Sequence, residues 1–221
     1  MGNLDIGQFI LFMVALVFSL SVHEFGHAWV SLKFGDDLAH SRGRVTLNPM
    51  AHVDPIGTLL FPAIGFFTGA PLLGWAKPVP VNPLRWRNKR VANFWVSSAG
   101  IIGNLLIATV AALALRVFVG NFNTVSSFEV SDGIWMFLNI LFRLNIGLAI
   151  FNLLPVPPLD GGAILGSILP DSFEDALQSL SQYGFIILYI ALFTGVIRGI
   201  FNFVMPLAYS IFFWGTPLAG G

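Results

Sequence analysis

The stretch His23-Glu24-Phe25-Gly26-His27 holds the residues of this chain best suited to chemistry. On a helix its two histidines stand at i and i+4, on one face and one turn apart. Two imidazoles so placed can bind one zinc ion, with the neighbouring Glu as general base. The bland alternative is a pair of histidines at a helix end, at a membrane interface. The setting weighs against it. The pattern lies inside an apolar run, where ionisable groups are expensive and are by default candidates for function.

A catalytic zinc takes three protein ligands and keeps a fourth position open. The chain has no cysteine, so the third ligand must be His, Asp or Glu. His40, His52 and Asp160 are candidates. Asp160 lies in Asn152-Leu-Leu-Pro-Val-Pro-Pro-Leu-Asp-Gly-Gly162, where prolines break the helix and glycines let the chain turn closely beside the carboxylate. An N-cap on a short helix starting at Gly161 explains Asp160 equally well. His52, just before Asp54-Pro55, is either support or a gate near the metal, or an interfacial histidine capping the next segment. His40 sits in a polar loop and reads as ordinary.

These residues need elements to hold them, and the composition says which kind. Of the 221 residues, 56% are hydrophobic and 10% charged; the 23 glycines raise the apolar share to about two-thirds. Mean hydropathy is +0.80. An ordinary soluble domain and a disordered chain are both excluded. Eleven basic residues balance eleven acidic ones, so there is no broad basic field for nucleic acid. The expectation is an all-α polytopic membrane protein in a single domain, residues 1–221, with about five to six transmembrane helices. A catalytic core would span about 6–160, with C-terminal helices at about 176–215.

One uncleaved helix is expected over 6–34, since no Lys or Arg precedes it and the apolar pattern runs past His23. Residues 56–75 are apolar but broken by Pro62, Pro71 and four glycines, which suits a re-entrant or broken segment better than a straight span. Spans are expected at 91–119 and 133–154, joined by a short polar loop at 121–132. Residues 183–215 are too long for one span and predict two short helices with a turn near Arg198. A short β element is expected at 44–48. Most of the basic residues lie between Lys33 and Arg90, which places those loops in the cytoplasm. The first helix then runs inward, the second span outward and the third inward. This parity brings Asp160 to the same face as the histidine pair. Arg143 falls within a span and needs a partner or water. Asn104 and Asn145, also within spans, suit hydrogen bonds between helices, and Asn104 is in addition a candidate support for the site. The Gly195–Gly199 spacing is weak evidence for helix packing.

Taken together, a His-Glu-x-x-His in an apolar helix and a distant Asn-x-x-Pro-x-x-Pro-x-Asp-Gly resemble the site-2 protease family of intramembrane zinc metalloproteases. The likeness extends through Asn48–Thr58 and Gly74–Pro83 to nearly the whole chain, and no PDZ-like segment interrupts it, as in the compact bacterial members. The resemblance implies His23, His27 and Asp160 as ligands of one zinc per chain and Glu24 as catalytic acid and base. It implies Asn152 as a polar group near the substrate carbonyl. It also implies a transmembrane protein substrate and a prokaryotic cytoplasmic membrane, with the site toward the cytoplasm. One departure is visible: where the family often has Ala-Gly-Pro and then Asn, this chain has Ala99-Gly100-Ile101-Ile102-Gly103-Asn104. A substrate helix must unwind before attack, and an extended segment could then be held on a strand edge at 45–47 or 79–81. A metal-ion transporter and a non-catalytic membrane scaffold are the alternatives from other classes. A transporter needs no general base and more often shows internal repeats, of which none is evident here.

Overall fold

The computed structural model describes residues 6–70, 74–122, 128–216 and 218. Its elements are α1 (Ile6–Lys33), α2 (Leu38–Ser41), α3 (Phe61–Thr68), α4 (Lys89–Phe122), α5 (Phe128–Asn152), α6 (Asp160–Ile168), α7 (Glu174–Phe193) and α8 (Val196–Phe212). Four helical stretches are long and apolar enough to cross a membrane: Ile6–Lys33, Lys89–Val117, Asp132–Asn152 and Asp175–Phe193. The apolar helices Pro55–Thr68 and Val196–Phe212 are shorter. The expected five to six spans therefore resolve into four of full length and two shorter helices.

The outer faces of the bundle are apolar, and polar side chains are gathered inside beside an apolar core. Ile10, Val14 and Phe18 are exposed on the outer face of α1, and Leu106, Val110, Leu113 and Val117 on that of α4. The inner face of α1 carries Ala15, Ser19, His23, His27 and Ser31, each four residues from the last. Helix α4 is the central element, packed against α1, α5 and α6. Its Ala108, Ala111 and Ala112 are fully or almost fully buried and join Ala15, Phe142, Ile146 and Phe213 in the core. Small residues let helix backbones come close where lipid supplies no hydrophobic drive.

The broken segment enters and leaves on one side. Asp54 caps its start by accepting hydrogen bonds from the backbone N–H groups of Ile56 (3.0 Å) and Gly57 (2.7 Å). A π-helical turn, Pro55–Leu60, runs into α3. The 14 residues Pro55–Thr68 rise only about 21 Å, short of a hydrocarbon core of about 30 Å. The chain returns to its entry point, where Trp75 N–H donates to Gly57 O at 3.1 Å.

Two expectations change. No strand forms among the described residues, so the β element at 44–48 and the strand edge at 79–81 are both absent. The physical reason is where the backbone groups go. Thr46 O accepts from His52, Val79 N–H points to Glu24, and Pro78 and Pro80 have no N–H to give a ladder. The C-terminal apolar stretch divides into two helices as expected, with the turn at Thr194-Gly195, near Arg198, and α7 starting at Glu174, close to the expected 176. Gly195 takes φ +83°, a backbone state that side chains with a Cβ rarely adopt, so it serves the turn and not a packing motif. Helix α5 begins at Phe128, inside the loop expected at 121–132, of which residues 123–127 lie outside the described ones.

Candidate metal centre

Helix α1 presents His23 and His27 on its inner face, and α6 presents Asp160 from its first turn. The parity expectation is met: the end of α5 and the tight turns of 153–159 carry Asp160 to the histidine pair. His23 Nε2 lies 3.3 Å from Asp160 Oδ2, His27 Nε2 lies 3.4 Å from Asp160 Oδ1, and the two Nε2 atoms are 3.0 Å apart. Asp160 does not cap its helix, since Leu159 holds the N-cap position and no side chain caps it.

The hydrogen bonds behind the site orient both rings. His27 Nδ1 lies 2.7 Å from Val96 O, an acceptor only, so Nδ1 carries a hydrogen, which in the neutral ring leaves Nε2 its lone pair. The same result follows for His23 by a longer chain. Asn145 Nδ2 donates to Leu141 O (2.8 Å) and to Ser19 Oγ (2.8 Å), so its Oδ1 faces Asn104. Asn104 Nδ2 donates to that Oδ1 at 2.9 Å, which turns its own Oδ1 toward His23. His23 Nδ1 must then donate, at 2.7 Å. With both rings neutral, two Nε2 lone pairs and a carboxylate converge, and Asp160 Oδ2 is buried without a hydrogen-bond partner. A cation bound there would satisfy all three groups at once. The edges of 3.0–3.4 Å also match those of a tetrahedron about zinc, ~3.3 Å for ligand bonds near 2.0–2.1 Å. The residues present fit zinc.

Backbone closeness makes the site possible. At Gly100 on α4 a Cβ would stand 2.5 Å from His23 Cε1 and 2.6 Å from His27 Nε2. Only glycine lets α4 pass behind both imidazoles. Helix α6 is in turn held to α4. Asn93 Nδ2 donates to Ala163 O (3.0 Å) and Ser167 Oγ (2.9 Å), and the Arg90 guanidinium donates to the carbonyls of Ser167, Ile168 and Leu169.

The other expected residues take varied places. Glu24 is buried beside His23, and its Oε2 accepts from Val79 N–H at 2.9 Å. Asn152 Nδ2 donates to Leu148 O at 3.0 Å, one turn back on its own helix. Asn104 contacts His23 directly, while Asn145 ties it to α5. His52 stands outside the group of possible ligands; its Nε2 donates to Thr46 O at 2.8 Å, and its carbonyl accepts from Lys77 N–H. It braces the chain before Val79. His40 and Arg143 are exposed. Sequence reasoning passed over Gly100, Arg90 and Asn93, because nothing in their local pattern marks a neighbour seventy residues away.

The chain is similar to known proteins over most of its length. The model of peptidase family M50 matches residues 11–197. A protein named "Putative zinc metalloprotease YwhC", from Bacillus subtilis strain 168, is 38% identical over 182 residues, covering 82% of this chain and 80% of its own. Proteins named "Putative zinc metalloprotease Rip2" are 29% identical, over 215 residues in Mycolicibacterium smegmatis and 218 in Mycobacterium tuberculosis, each covering 97% of this chain and 76% of the relative. No solved structure matches the chain.

Proposed function

The chain belongs to peptidase family M50, the zinc metalloproteases of the site-2 type, and from that premise we propose that it cuts peptide bonds in or near the transmembrane segments of other membrane proteins. The observation that carries this reading is the convergence of the Nε2 atoms of His23 and His27 on the Asp160 carboxylate, with Glu24 next along the helix. In this reading His23, His27 and Asp160 hold one zinc per chain. Zinc bound there polarises the scissile carbonyl and acidifies attacking water. Glu24 takes the proton from that water and delivers it to the leaving amide nitrogen. Asn152 has two hydrogens on Nδ2; one goes to Leu148 O and the other is free to donate to the developing oxyanion. The basic loops between Lys33 and Arg90 support a site that faces the cytoplasm, and the compact family resemblance supports a prokaryotic membrane.

The test uses purified protein in detergent with a single-span protein as substrate. Wild type is expected to hold about one zinc and to cleave. Glu24→Gln is expected to keep the zinc and lose at least about 100-fold in rate, the scale of a general base. Asp160→Ala is expected to lose zinc and activity together. Full cleavage by Glu24→Gln would remove Glu24 from the chemistry. Zinc retained in Asp160→Ala would remove the third ligand.

A further inference from the structure

Arg44 is buried, with 9% of its surface exposed, and no ion pair to it is found among the described residues. A buried guanidinium is costly unless its donors are used, and the Nε of this one is buried without a partner, so its placement rests on the bonds of Nη2. Its Nη2 donates to Lys77 O at 2.6 Å and to Pro78 O at 3.2 Å. The second acceptor matters most. Pro78 O and Val79 N belong to one peptide group, and Val79 N–H donates to Glu24 Oε2 at 2.9 Å. A cation and the carboxylate beside the metal ligands are thus joined through a single amide. Arg44 draws electron density toward the Pro78 carbonyl, which makes the Val79 N–H a stronger donor, since linked hydrogen bonds polarise one another.

We propose that Arg44 is a positioning residue for Glu24, acting through the Pro78–Val79 peptide. This rests on Glu24 being the base. The remaining contacts of this segment fit that role. Lys77 N–H donates to His52 O at 2.8 Å, and Asn82 N–H donates to the buried Asp36 carboxylate at 2.6 Å. Both ends of the strap are therefore tied down, and Arg44 sets the middle. Prolines on either side of Val79 keep it extended, since the residue before a proline is steered from the helical region. The Val79 N–H holds one oxygen of Glu24 and leaves the other for the proton of water. Arg44 touches neither substrate nor metal, and its effect must appear in turnover.

The experiment is a double-mutant cycle on the zinc-loaded protein, with kcat, KM, zinc content and thermal midpoint all measured. Val79→Pro removes the N–H but leaves both carbonyls that Arg44 uses, and Val79→Ala keeps the N–H as a control. Arg44→Ala and Val79→Pro are each expected to lower kcat about 10- to 100-fold, as a displaced reacting group does. KM should move less than about twofold, zinc should stay bound, and the double variant should lose little more than either single one. Arg44→Lys, with a point donor in place of a fork, should recover part of the rate. Unchanged kcat in Val79→Pro, or losses that multiply in the double variant, overturns the proposal. So does a loss of kcat that merely follows lost zinc or lost thermal stability, since that marks a structural brace. Should Arg44→Ala fail to fold, Val79→Pro against Val79→Ala decides alone. Glu24→Gln, run alongside, separates the two readings: if it stays active the assignment of the base fails, and if it is dead while Val79→Pro is unimpaired only the role of Arg44 fails.

Discussion

Asn104 on α4 accepts the Nδ1 hydrogen of His23 on α1 at 2.7 Å, so a residue on one helix sets the tautomer of a histidine on another. The direction of that bond is dictated from further off, by Asn145 and its donation to Leu141 O. A ligand histidine held in this way keeps its orientation and basicity, and removing such support costs 10–100-fold in metal affinity. Asn104→Ala is expected to weaken zinc binding by about that factor. Asn104→Asp keeps the acceptor and should weaken it less. Chelator competition measures both, and equal affinity in Asn104→Ala and wild type would show that His23 needs no support.

Gly100 offers a sharper steric test. A methyl group there would meet His23 Cε1 at 2.5 Å and His27 Nε2 at 2.6 Å, far inside van der Waals contact. Either the imidazoles leave their positions or α4 moves off α1. Gly100→Ala is therefore expected to bind zinc poorly and to be inactive, although alanine ordinarily favours a helix by nearly 1 kcal/mol over glycine. Gly199→Ala, where nothing stands within 4 Å of the added carbon, is the matched control and should leave zinc content unchanged.

The clamp on α6 predicts an effect at a distance. Arg90 binds the last carbonyls of the helix whose first residue is Asp160, and Asn93 binds its middle. Removing both donors frees the helix to shift along α4 and carry Asp160 with it. The double variant Arg90→Ala, Asn93→Ala is expected to lower zinc affinity several-fold with the ligands intact. The exposed Arg85–Asp37 pair gives the comparison. Arg85→Ala should leave zinc affinity as it is, because exposed ion pairs contribute about 0–1 kcal/mol and this one touches no site element.

The sequence made the site more legible than the packing around it. His23, Glu24 and His27 could be read because helical spacing alone puts the pair on one face. Asp160 could be read only as one of several acids until counting spans put it on the right side, and its own pattern fitted an N-cap as well. Asn104 was visible as a polar group in an apolar span, but its partner was not, since the rotation of α4 about its axis leaves no trace in composition. The strand expected at 44–48 failed for a related reason. Residues 44–48 have the β-prone pattern, yet Thr46 O and the Arg44 guanidinium are taken up by His52, Lys77 and Pro78, none of them a strand partner. A turn near Arg198 was legible from the break in the apolar run, and the left-handed Gly195 fixes it three residues earlier.

Metal removal should destabilise the bundle and not only silence it. Without a cation, the two Nε2 atoms stand 3.0 Å apart against a carboxylate, and all three groups are partly or wholly withdrawn from solvent. The groups come from α1 and α6, so the cation also joins those two helices. A ligand that binds only the folded state stabilises by mass action, about 2.7 kcal/mol at a hundred times its dissociation constant. Chelation of the wild type is thus expected to lower the thermal midpoint in detergent, and added zinc to restore it. Glu24→Gln should behave in the same way, since Glu24 faces Val79 and is not among the converging groups. Asp160→Ala should start from a lower midpoint and respond little to chelator. A wild-type midpoint indifferent to chelator would mean that the three groups are held together by the fold alone.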